Sequence, residues 1–132
     1  MKIRVVSSKE EIDTLSPNEE IVHFAFRPSN TDIFSLIMKC PRVKALHIPT
    51  SYKKTISTST TMFLKMQGIE LLEGDVWGHR KEMNEYSEIS PDVYNRIKQY
   101  RLDGMQEEDI ADKMIRETRL SPDFISFLIK NN

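Results

Sequence analysis

One cysteine in 132 residues, Cys40, leaves no internal disulfide and no multi-cysteine zinc site to consider. Long apolar runs are missing too. Nothing approaches the ~20 residues that a membrane-spanning helix needs, so no membrane role is expected. The opening Met1-Lys2-Ile3-Arg4-Val5-Val6 is too short and too charged for a signal peptide and reads as a strand. These absences point to a cytoplasmic protein. A strong charge of either sign is also lacking, with a net charge of −1. Residues 1–80 carry 11 Lys+Arg against 9 Asp+Glu, and residues 81–132 carry 8 against 11. Neither half has the basic balance that binding to a phosphate backbone predicts, so nucleic acid is not the expected partner. The three histidines show no His-x-x-x-His spacing, and no metal or cofactor is expected.

What is present is an ordinary globular composition, 39% apolar and 30% charged, enough for a hydrophobic core without covalent staples. Strand-like and helix-like segments alternate through the first half. Ile3–Val6, Ile21–Phe26, Val43–Ile48 and Ile69–Leu72 read as strands, the second nearly continuous in apolar residues, as suits a strand covered on both faces. Between them, Ser8-Lys9-Glu10-Glu11 has the capping-box pattern of a short helix that stops before Pro17. Ser29, Asn30 or Thr31 can cap a helix with Ile33, Phe34, Ile37 and Met38 on one stripe, ended by Pro41. Thr55 to Gln67 reads as a further helix, with Gly68 as its left-handed cap. Such βα units imply a mainly parallel sheet.

The expected fold class is α/β: a small three-layer, flavodoxin- or Rossmann-like domain with a mostly parallel four-stranded sheet over residues 1–80. Residues 81–132 form a linker and a three-helix C-terminal segment. Ser90-Pro91 and Ser121-Pro122 are cap-plus-proline starts, and Ile110, Ala111, Met114 and Ile115 form a stripe between them. The last helix, with Phe124, Ile125, Phe127, Leu128 and Ile129, is apolar almost all round. It must be buried, against the sheet or against a second copy. A homodimer through residues 121–130 is the expected assembly, since exposed apolar patches mark contacts and two-fold dimers are the commonest oligomer.

Pro41-Arg42-Val43-Lys44 and Gly68-Ile69-Glu70-Leu71 carry a likeness over residues 19–75, which resemble the flavodoxin-like substrate layer of D-2-hydroxyacid dehydrogenases. The cofactor turn G-x-G-x-x-G is absent, so the dehydrogenase activity does not transfer. His23-Phe24-Ala25-Phe26-Arg27-Pro28-Ser29, with Gly74 to Arg80 and the helical tail, is similar to a family of short proteins from methanogenic archaea. That resemblance implies a cytosolic archaeal protein of unknown function and supplies no catalytic residue.

Function is sought at the carboxyl ends of the strands, where open α/β sheets bind ligands. The residues there are Arg27, Ser29 and Asn30 after the second strand, Lys53 and Lys54 after the third, and Asp75, Trp77, His79 and Arg80 after the fourth. Arginine forks, lysine point charges and free helix N–H groups suit an anionic small ligand. The competing reading is that loops are polar because they are solvated. Asp75 and His79 would serve an enzyme as an acid–base pair. The structural reading, in which Asp75 caps a turn, Trp77 packs over the sheet edge and Arg80 makes a salt bridge, is favoured because no nucleophile lies nearby in sequence. His23 and His47 sit mid-strand, expected to be hydrogen-bonded within the layer, and Cys40 is expected as buried filler. Residues 105–130 have the outline of a helix-turn-helix. Pro122, Asp123, Phe124 and Ile125 stand where a DNA reader places Arg, Lys, Asn or Gln, which favours a packing or protein-contact module.

Overall fold

In a computed structural model that describes residues 2–74, 86–118 and 120–131, five strands form one sheet in the order β4-β3-β2-β1-β5. β1 (Lys2–Val6), β2 (Ile21–Phe24), β3 (Ala45–Ile48) and β4 (Glu70–Glu73) are mutually parallel. β5 (Tyr86–Glu88) joins β1 antiparallel, with Tyr86 opposite Arg4. The sequence reading placed a polar linker there. Three residues with only one large side chain carry too little period-2 signal to be seen as a strand.

The progressive order of β1 to β4 decides the rest of the architecture. Parallel crossovers share one hand, so crossovers that always step to the next strand place their helices on the same face. On that face lie a 3₁₀ helix (Lys9–Thr14), α1 (Asn30–Lys39), the short α2 (Thr50–Lys53) and α3 (Thr58–Met66). The expected box at Ser8 does not form. Instead the Ser7 N–H donates to the Glu11 carboxylate. α3 starts at a Ser57 cap, because Thr50 to Lys53 takes up a turn of its own. The core beneath this layer is built from Val6, Val22, Phe24, Leu46 and Ile48 of the strands against Ile33, Leu36 and Leu64 of the helices.

The opposite face of the sheet presents Ile3, Ile21, Ala45 and Leu72. α4 (Pro91–Leu102), α5 (Glu107–Glu117) and α6 (Pro122–Lys130) cover it and complete the third layer. All five bulky apolar residues of α6 are at most 3% exposed within a single chain. This corrects the argument for a dimer through residues 121–130: the tail closes onto its own sheet and leaves no apolar face for a partner. Among the described residues, no helix is long and apolar enough to cross a membrane.

Candidate functional site

Two places at the carboxyl edge of the parallel strands carry chemistry, one expected from sequence and one not. The expected place is the loop region after β2 and β3. Ser29 caps α1 through a full capping box with Asp32, so its hydroxyl is engaged in holding the helix start. Asn30 is turned sideways. Its Oδ1 accepts from Thr60 at 2.9 Å and from Ser57 at 3.4 Å, tying the start of α1 to that of α3. Lys53 forms an ion pair with Glu73 of β4 at 3.0 Å, and this bond holds the Glu73 carboxyl below its ordinary range. Ser29, Asn30 and Lys53 therefore have structural partners.

Arg27 and Lys54 differ. The Arg27 guanidinium lies over the Tyr52 ring at 5.3 Å, and both cations are solvent-exposed. Among the described residues, neither has a carboxylate within ion-pair distance. The local charge reinforces them. Residues 27–68 contain seven Lys+Arg and a single acid, Asp32. Asp75, Trp77, His79 and Arg80 lie outside the described residues. An open groove of about 990 Å³ runs along the outer side of β4, between α3 and the α5–α6 layer, lined by Leu64, Ile69, Leu71 and Phe127 among others. It takes in Lys53 but neither Arg27 nor Lys54.

The unexpected place lies beneath the start of α6. His23 and His47 occupy the third positions of β2 and β3 and stand opposite one another in the parallel register. Their rings meet with Nδ1 to Nδ1 at 2.8 Å, both side chains being buried. One nitrogen must donate and the other accept, so the contact holds one proton between two rings. His47 Nε2 bonds to Ser121 Oγ at 3.1 Å, and Phe124 packs edge-on to the His47 ring at 5.5 Å. A Cβ at position 74 would lie 2.2 Å from the Ser121 Cβ, so glycine is what allows α6 to come this close. Beside it, the Asp123 carboxylate accepts the Glu73 N–H at 2.8 Å, on the edge of β4 that no strand covers among the described residues.

Ser121, His47 and His23 follow the bonding order of a nucleophile, base and orienting group. Here the Ser121 hydroxyl is the N-cap of α6, and Gly74 closes against it, so the arrangement serves docking. The sequence showed both histidines at mid-strand but not that β2 and β3 are neighbours in register, and the pair follows from that adjacency.

In a DNA-reading helix-turn-helix, the N-terminal turn of the second helix meets base edges. The corresponding turn of α6 is bonded to strand ends through Ser121 and Asp123. Pro122, Ser126 and Lys130 are the residues of α6 left exposed, and only one of them is a cation.

Two family models match the chain. One, described as "Family of unknown function (DUF1699) N-terminal domain", covers residues 2–85. The other, "Protein of unknown function (DUF1699) C-terminal HTH domain", covers residues 92–130. No curated protein and no solved structure matches. The matches agree with the resemblance to a family of unknown function. They lend no support to the dehydrogenase likeness or to an archaeal source.

Proposed function

We propose that this chain, which belongs to the DUF1699 family of unknown function, is a regulatory binding protein that takes an anionic small ligand at the carboxyl edge of its parallel strands. The observation that carries this reading is that Arg27 and Lys54 are exposed at that edge with no carboxylate within ion-pair distance among the described residues. A guanidinium held over Tyr52 offers a planar fork to phosphate or carboxylate, and Lys54, two residues after Tyr52 in the chain, adds a point charge. The start of α6 is bonded to β3 and β4 through Ser121 and Asp123.

Isothermal titration with inorganic phosphate, pyrophosphate, a nucleoside triphosphate and citrate tests the reading. The parent chain should bind at least one of them, and Arg27→Ala/Lys54→Ala should weaken that binding at least tenfold. Equal affinity in the two proteins sinks the proposal. Arg80→Ala, run beside them, tests the assignment of Arg80 made from sequence.

A second reading, DNA binding, is favoured by the helix-turn-helix description of residues 92–130. Against it stand the buried α6 and a balance of 7 Lys+Arg to 8 Asp+Glu over that segment. Reading DNA through α6 would require that helix to leave the sheet. Duplex binding whose affinity falls steeply with salt, and which Lys130→Ala weakens, would establish it.

A further inference from the structure

The outer face of the α1–α3 layer carries a feature that neither the sheet nor the strand edge explains. Phe34 and Met38 lie one turn apart on α1, 39% and 84% exposed. Met62 and Met66 lie one turn apart on α3, 59% and 81% exposed. These are four of the six large apolar side chains exposed among the described residues. The two helices meet on this side through Phe34 and Phe63, edge to face at 5.1 Å, so the four belong to one surface. The inner faces of the same helices already fill the core through Ile33, Leu36 and Leu64, so folding does not require the outer apolar residues.

The two helices bring cations to the rim of that surface. Lys39, Arg42 and Lys65 are exposed and have no carboxylate partner among the described residues. The single acid of the two helices, Asp32, is engaged in the capping box of α1. Cations near helix C-termini are ordinary, because they complement the helix dipole. The 3₁₀ helix packed beside α1 adds the exposed acids Glu10 and Asp13 on that side, so the unpaired cations belong to α1, α3 and Arg42 themselves. Exposed Met and Phe side chains gathered beside such cations form a surface of the kind that marks a contact.

We propose that this face docks an amphipathic helix of a partner protein, with its apolar stripe on Phe34, Met38, Met62 and Met66 and acidic residues along its flanks. Two helices side by side leave a groove that a third helix fills, and unbranched methionines repack around whatever apolar residues enter it. Charge selects the occupant. A two-fold pairing of this face with its own copy would set cations against cations, whereas acidic flanks match the rim.

The test uses the full chain and two fluorescent synthetic helical peptides with the same leucine stripe, one flanked by glutamates and one by lysines. Fluorescence anisotropy should show the acidic peptide binding, weakening as salt rises, with the basic peptide at least tenfold poorer. Met62→Glu/Met66→Glu and Lys39→Glu/Lys65→Glu alter exposed side chains and should each reduce binding at least tenfold without changing the far-ultraviolet circular dichroism. Four results overturn the proposal: no binding of the acidic peptide, equal binding of both peptides, equal binding by parent and variants, or self-association of the parent that Met62→Glu/Met66→Glu abolishes. Vesicles of phosphatidylcholine and phosphatidylserine provide the remaining control. Loss of vesicle binding in the variants, with no peptide binding by the parent, assigns the face to a lipid surface instead.

Discussion

Gly74 has a φ of +144°, and any side chain there would enter the space of Ser121. Gly74→Ala therefore combines an unfavourable backbone with overpacking, together roughly 2–5 kcal/mol. Urea denaturation should show that loss, and Ser121→Gly in the same chain should recover part of it by making room. Cys40 gives a prediction of opposite character. Burial, aided by the charge of Glu19, pushes its thiol up to about 11. The native thiol should resist alkylation at pH 8.5 and react only when the chain opens. Because the folded value lies above the unfolded one, the contribution to stability is complete below about 9 and is lost as pH rises through about 11. Comparing the alkaline slope of stability in the parent and in Cys40→Ala checks this; identical slopes would count against it. Sequence alone pointed to Cys40 as buried filler and not a nucleophile, since the C-terminal end of a helix does not lower a thiol pKa. It had no means of showing that Gly74 lies against Ser121, because that contact joins positions 47 residues apart.

Among the elements, α6 shows both the reach and the limit of the sequence. Its apolar sides imply burial, but periodicity reveals a face and not what covers it. The sheet order supplies the missing step. With β1 to β4 in progressive order, the crossover helices occupy one face, and the bare opposite face is what α6 covers. The switch-point argument for a ligand crevice needs a reversal of strand order, and β1 to β4 contain none. The loops after β2 and β3 bring Arg27 to Tyr52 and Lys53 to Glu73. At the start of α6, the Asp123 carboxylate takes the place of a neighbouring strand by accepting the Glu73 N–H. Asp123→Ala leaves that donor without its partner, at a cost of about 1–3 kcal/mol. Hydrogen exchange at the Glu73 amide should accelerate accordingly, and Asp123→Asn, which keeps an acceptor, should lose less. An unchanged exchange rate in Asp123→Ala would show that the contact does not hold the edge.

At the scale of the molecule, the two family matches divide the chain between residues 85 and 92, but the packing does not follow that division. Ile3, Ile21, Ala45 and Leu72 of the sheet share one core with Ile97, Ile110, Met114 and the apolar side of α6. Arg101 of α4 also donates to the Ile129 carbonyl near the end of α6, and Lys130 reaches Glu70 of β4 at 2.9 Å, so α6 is held at both ends. A chain ending at residue 90 would expose four sheet residues and the histidine pair to water. Fully burying one such aliphatic side chain contributes ~1.5–3 kcal/mol, and losing several approaches the 5–15 kcal/mol by which a whole domain is stable. That truncated chain should bind a hydrophobic dye, aggregate and lose the sharp unfolding transition of the parent. In the full chain, pulse alkylation of Cys40, which lies in the core on the α1–α3 side, should report the same midpoint as circular dichroism, to which all the helices contribute. Two separated midpoints, or a truncated chain that stays monomeric and folded, would mean that the helical layer is a domain in its own right and that the shared core contributes little to either part.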